Sequence, residues 1–412
     1  MAADEGKDQI VVATDHLNLV GNELGSRAFT VTDDNDPLGL TLITLADTAG
    51  SARGLAEQRA KEVDGKAPTV RSELDRVLAE LRLLSAHRHG GWIPTLGKNR
   101  TLTGVEFKPY THGSGRPQPV AAAPLPVPDK ALRRVDVGLF DTGLAPHREL
   151  TGAYLADATA MVEPLDEGRD RLWWEGHATF IAGIIRRHAP SAALDVRTAL
   201  RRVPGGSGNQ RWEMPLWRFA ELLAEYREAG VAVLNLSVGV VTEDGEPPLV
   251  LERAIARLTP SMVVVAAAGN HGESKPDADG RPAPNAALYP AALDNVLAVG
   301  ALDAAREAAA SFNPRGAGNT GTAPWIDVFA PGEQVVSTYL GDGVPERVLV
   351  EEDDGSRAPD QFSGWAAWTG TSFATGEITG AVANRLAQGD APAEAVAKVR
   401  AAYARPEVGT GA

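Results

Sequence analysis

The chain has 412 residues, of which 43% are hydrophobic and 23% charged, with a formal net charge of −14 and no cysteine. This excludes disulfides, cysteine-ligated zinc, iron–sulfur clusters and thiol catalysis. The acidic balance, with no block of five or six Lys/Arg, leaves no electrostatic footprint for nucleic acid or an anionic membrane surface. No stretch approaches the roughly 18 uninterrupted apolar residues of a membrane span. The opening Met1–Ile10 is acidic and lacks the positive and apolar regions of a secretory signal, so a soluble cytoplasmic protein with no membrane partner is expected.

Residues 1–112 contain apolar, β-branched runs at Ile10–Ala13, Ala28–Thr32 and Leu38–Leu45. They also carry a helical face of Leu74, Val77, Leu78, Leu81 and Leu84, with Ser72 and Asp75 as a capping pair. This predicts a small α+β N-terminal domain. Gly113–Asp129 carries five prolines and little charge, the composition of an extended connector, so residues 113–130 are assigned as a linker. From 131 to 405 the pattern changes. Val135–Phe140, Leu194–Thr198, Val231–Leu236, Met262–Ala267 and Asn295–Val299 are near-continuous apolar runs, with helical stretches at Met214–Ala229 and Pro248–Leu258. Runs of this kind suit strands buried on both faces of a parallel sheet. The expected fold class is therefore α/β, a three-layer domain with a mostly parallel central sheet and functional residues at the carboxyl ends of its strands.

Four segments fall where such a sheet presents a site: Asp141-Thr142-Gly143, Gly176-His177-Ala178-Thr179, the run VVVAAAGN ending at Asn270, and Gly370-Thr371-Ser372-Phe373-Ala374-Thr375. An acid, an imidazole, a carboxamide and a hydroxyl make a complete set for acyl transfer. A serine hydroxyl needs a base to take its proton, and an imidazole suits that task at neutral pH. A buried carboxylate holds the ring in the right tautomer, and a carboxamide N–H with the Ser372 backbone N–H can stabilise an oxyanion. Each residue alone has a plainer reading: Asp141-Thr142-Gly143 as a turn, His177 as a structural histidine, Ser372 as a helix N-cap, Asn270 as a turn residue. Their joint occurrence in this order favours the site. Elsewhere, His87 and His89 point apart on a helix and make no metal pair. The Gly-rich stretch after Val203 lacks the ending of a phosphate loop.

With these blocks in order, residues 135–390 resemble the subtilisin-like serine proteases, the subtilase family. WEGHATFIAGII resembles its histidine block, VLNLSVG its cleft strand, VVVAAAGN its oxyanion strand and GTSFATGEITGAVA its nucleophile block. The resemblance implies a serine endopeptidase with Asp141 as orienting acid, His177 as general base, Ser372 as nucleophile and Asn270 as oxyanion donor. It implies peptide or protein substrates and no cofactor, and no metal ligands are assigned. For substrate contact it points to Ser237, Val238 and Gly239, to Gly206, Ser207 and Gly208, and to Ala267 and Gly269, the small Gly239 and Ala267 permitting a large substrate side chain without requiring one. This chain departs from the family pattern at Ala178, Gly376 and Glu377. Gly341–Gly364, with Glu351, Glu352, Asp353 and Asp354, looks like an insertion, more a solvated acidic loop than a cleft rim. The N-terminal domain is either a prodomain acting on the cleft in cis or a permanent regulatory module. Alternatives to an active protease are an inactive fold that binds peptides or a partner, and a protease kept latent by that domain.

Overall fold

The computed structural model describes residues 8–25, 29–63, 66–104, 115–153, 171–198, 201–204, 210–242, 245–274, 282–343, 345–351 and 357–406. The chain divides into two units. One comprises Met1–Thr101 with Pro215–Glu221 and Pro247–Arg257, and the other comprises Leu102–Met214, Leu222–Glu246 and Leu258–Ala412.

In the first unit, four antiparallel strands lie in the order Phe29–Asn35, Leu40–Leu45, Gln9–Ala13, Leu96–Lys98. The expected helix spans Glu73–Arg88. Ser72 caps it, its hydroxyl accepting from the Asp75 N–H at 3.1 Å and donating to the Asp75 carboxylate at 2.7 Å. Leu74, Val77, Leu78, Leu81 and Leu84 are buried in one core with Ile10, Val12 and Ile43. A second helix, Thr48–Glu62, has no sequence signal of comparable strength because its buried apolar side chains are only Ala52 and Leu55. Arg59 on it meets the fully buried Glu80 at 2.7 Å, joining the two helices by charge.

The second unit is built on a six-stranded sheet in the order Val328–Pro331, Leu297–Leu302, Val263–Ala267, Val233–Leu236, Val135–Asp141, Ala192–Thr198. Every neighbouring pair is parallel. Five of these strands follow the apolar runs of the sequence. The sixth, Val328–Pro331, is an edge strand of four residues. The sheet's two site-bearing helices, His177–His188 and Thr371–Ala387, pack at glycines: a Cβ on Gly380 would lie 2.9 Å from the Ile185 carbonyl oxygen, and one on Gly376 would lie 3.3 Å from the Ile184 side chain. Close helix approach is thus the local reason for Gly376. Glu377, the next residue, lies 3.4 Å from the His188 Nε2.

Within the segment Gly341–Gly364, the described residues on either side of the acidic cluster form paired strands. Glu346–Glu351 pairs antiparallel with Arg357–Phe362 and parallel with Arg171–Leu172. Val348, Val350 and Phe362 are fully buried in the main core. Val348 and Val350, two residues apart on the strand, point to one face, and that face enters the core. Of the acidic cluster, Glu352, Asp353 and Asp354 lie outside the described residues.

Gly380→Ala forces a methyl against backbone that cannot rotate away, so it should destabilise the unit by about 1–3 kcal/mol. The denaturant midpoint should fall with an unchanged slope, and an unaltered midpoint would show that the helix pair has slack.

Candidate active site

Asp141 ends the strand Val135–Asp141, and His177 opens the helix His177–His188. Both are 1% exposed. The His177 Nδ1 lies 2.7 Å from Asp141 Oδ1 and 2.9 Å from Oδ2. A carboxylate oxygen accepts, so Nδ1 carries the proton and Nε2 presents its lone pair on the opposite edge of the ring. Asp141 Oδ1 also accepts from the Thr142 N–H at 2.7 Å. The Thr142 hydroxyl oxygen accepts from the Ala178 N–H at 3.1 Å, tying the strand end to the first turn of the helix.

The helix is presented by a short turn, Trp173–Gly176, in which the Glu175 carboxylate accepts from the Leu172 N–H at 3.2 Å. Gly176 is required here because a Cβ would sit 2.2 Å from the Tyr339 ring. The Tyr339 hydroxyl donates to the Trp173 carbonyl. Arg171, 2% exposed, is held by Glu346 at 2.7 Å and lies 3.7 Å from Glu175, so the strand Glu346–Glu351 braces this turn. Trp173 and Trp174 are both buried. The Trp368 ring stands edge-on to His177 at 5.5 Å and to Trp173 at 5.5 Å, with Phe180 at 5.6 Å. Its indole N–H donates to the Gly115 carbonyl at 3.1 Å. These rings make a dry wall behind the imidazole, where an ion pair or hydrogen bond is stronger than in water.

Ser372 is the second residue of the helix Thr371–Ala387, and the N-cap is Gly370. The serine is therefore not the capping residue that its sequence position also allows. The Thr371 N–H and hydroxyl donate to Asn270 Oδ1 at 2.9 and 3.0 Å, and the Thr371 oxygen accepts from the Gly269 N–H at 3.2 Å. The carboxamide oxygen is thus committed to the helix start, which turns the amide Nδ2 toward Gly370, 3.5 Å from where a Cβ would stand there. Phe373, on the other side of Ser372 in sequence, has its ring 5.6 Å from that of His177. Ser372 therefore lies between a residue bonded to Asn270 and a residue packed on His177. Neither threonine carries the chemistry, yet Thr142 and Thr371 fix the strand-to-helix geometry. Their only sequence signal is adjacency to Asp141 and Ser372.

Of the substrate-contact residues, Ser237 and Val238 are buried, and Ser237 Oγ accepts from the Asn235 amide at 3.2 Å. Gly239 lies on the strand Val238–Val241. Ala267 ends the strand Val263–Ala267, and Gly269, at φ 109°, takes a conformation that only glycine adopts without strain. Gly206, Ser207 and Gly208 lie outside the described residues. The strand Thr101–Gly104 stands between Gln210–Pro215 and Val238–Val241. Thr103 is paired antiparallel with Gly239, and Gly104 with Val238. His271, next to Asn270, has Nε2 2.9 Å from the Ala286 carbonyl, and burial pushes its pKa down. No group of three or more His, Cys, Asp or Glu among the described residues is arranged to hold a metal ion, and no described helix is long and apolar enough to cross a membrane.

Residues 133–405 match the model of the subtilase family. Subtilisin Savinase of Lederbergia lenta is 30% identical over 259 residues, covering 60% of this chain and 75% of that protein. A thermophilic serine proteinase of Bacillus sp. (strain AK1) is 29% identical over 266 residues, covering 62% of this chain and 52% of that protein, so the match spans about half of this relative's length. Fervidolysin from Fervidobacterium pennivorans, a keratinolytic enzyme related to subtilisin, shares the fold, with a TM-score of 0.54 and 16% identity over 95% of this chain and 57% of that one. The family match, the sheet order and the buried His177–Asp141 pair agree, and the chain belongs to the subtilase family.

Proposed function

We propose that the protein is a serine endopeptidase acting on peptide or protein substrates through Ser372, His177 and Asp141. The observation that carries the reading is the 2.7 Å bond between His177 and Asp141 beside the helix that Ser372 begins. Ser372 Oγ attacks the scissile carbonyl carbon while His177 Nε2 takes its proton. The carbonyl oxygen becomes an oxyanion that accepts from the Asn270 amide and the Ser372 N–H. Collapse breaks the C–N bond, and His177 gives its proton to the departing amine. Water then repeats the sequence on the acyl-enzyme, with His177 again as base. The first turn of the Thr371–Ala387 helix favours negative charge at this point.

A second part of the proposal is latency in cis. An extended substrate would add a strand to the edge Val238–Val241, main-chain bonds giving affinity. In this chain Thr103 and Gly104 already pair with that edge. The N-terminal segment thereby competes with substrate. The reading of an inactive fold draws on Ala178 and Gly376, but the Ala178 N–H is bonded to Thr142 and Gly376 faces Ile184 and Ile181. Neither disturbs the His177–Asp141 bond.

Hydrolysis of an unstructured, fluorescently labelled protein tests the reading. Ser372→Ala should lower turnover by roughly 10⁶-fold, the loss found for subtilisin itself; a variant that keeps its activity would overturn the assignment. Asn270→Ala should cost about 10²–10³ in turnover and also lower the melting temperature, because the buried Thr371 N–H loses its acceptor, a loss of about 1–3 kcal/mol. Asn270→Asp keeps an acceptor and should recover the stability without the turnover. For latency, Thr103→Pro in the full chain removes a ladder donor and should raise the initial rate. An unchanged rate would leave the N-terminal segment without a role at the cleft.

A further inference from the structure

The strands Val233–Leu236 and Val263–Ala267 are in register up to the Leu236–Ala266 pair. Beyond it they part. One turns into Val238–Val241, which pairs with Leu288–Tyr289, and the other runs through Gly269 to Asn270. A peptide lying antiparallel on Val238 and Gly239, with its scissile carbonyl between Asn270 and Ser372, must put the side chain preceding the cut into this gap. Its walls are small: Gly239, Ala267 and Gly269. Side chains of this size would leave a deep slot, but the slot is filled from the chain's own sheet.

A Cβ on Gly239 would lie 2.6 Å from Leu288 Cγ and 2.8 Å from each of its methyl carbons, and one on Gly269 would lie 3.2 Å from Cδ2. Leu288 is 6% exposed and clusters with Ala267, backed by Val241 and Trp325. Its backbone is fixed by the pairing of Leu288 with Val241 and of Tyr289 with Val240. The isobutyl group is therefore pinned in place by its strand and its neighbours. We infer that Leu288 plugs the pocket for the residue before the cut, restricting the enzyme to substrates with a small residue there: glycine, alanine or serine.

This rests on the endopeptidase reading above and names its substrate class. A buried leucine side chain occupies most of the volume that a substrate leucine or phenylalanine would need, and packed apolar neighbours do not yield cheaply. On this inference Leu288, far along the chain from Gly239 and without any local signal, occupies the space that Gly239 and Ala267 would otherwise leave for a large side chain.

The test uses the full chain, with and without Thr103→Pro, on unstructured peptides that differ only in the residue before the cut, with the cleavage position read by mass spectrometry. Alanine should exceed phenylalanine in kcat/KM by roughly tenfold or more, the range that pocket size alone supplies. Leu288→Gly should reverse that order, and Leu288→Ala, which disturbs the strand less, should narrow it. A wild-type preference for phenylalanine would overturn the inference while leaving the endopeptidase reading intact. So would an unchanged ratio in a Leu288 variant that melts with the wild type. Absence of any Ser372-dependent cleavage across the series would instead overturn the endopeptidase reading, and the specificity with it.

Discussion

A carboxylate taken out of water loses several kcal/mol of hydration unless donors replace it, and Asp141, 1% exposed, has its donors supplied by two elements. The Thr142 N–H comes from its own strand end and His177 Nδ1 from the following helix. That requirement sets the rest of the site. The imidazole must stand in one orientation, so the helix that bears it must start at one place, and the turn before it must be tight enough to need Gly176 against Tyr339. The same bond that satisfies the acid leaves Nε2 as the ring's accepting edge. One contact thus satisfies the buried acid and sets the orientation that the proposed mechanism needs.

The second helix is fixed by an equivalent device. Asn270 spends its carbonyl oxygen on both donors of Thr371, and this orients its amide. The residue proposed as oxyanion donor is thus also the hydrogen-bond partner of a buried helix start. The aromatic wall of Trp173, Phe180, Trp368 and Phe373 closes the space between the two helices. The strand pair at 346–362 contributes through Glu346 to Arg171, and so bears on the turn that presents His177.

Much of this is legible in the sequence because its causes are local. Strands buried on both faces need unbroken apolar runs, and five of the six sheet strands announce themselves that way. The Ser72 cap and the leucine face after it predict their helix equally well. The site residues fall at strand and helix ends, where order and flanking glycines mark them. What was not legible depends on partners distant in the chain. Thr48–Glu62 shows only a narrow apolar face, Ala52 and Leu55, and its Arg59 meets Glu80 on a different helix. The hairpin at 346–362 reads as acidic although its inward valines enter the core. The pairing of Thr103 and Gly104 with the cleft strand, and the seating of Leu288 against Gly239, are contacts between separate strands that no local pattern encodes.

The central claim is that Ser372 is made nucleophilic by the His177–Asp141 pair. Its most direct test is the intact mass of the full chain after exposure to a fluorophosphonate, which forms a phosphonyl ester with an activated serine and releases fluoride. The account predicts one adduct per chain, mapped to Ser372, in the Thr103→Pro form at least, and its loss in Ser372→Ala and His177→Ala. An adduct that persists in His177→Ala at the wild-type rate, or none on the Thr103→Pro chain, would contradict it.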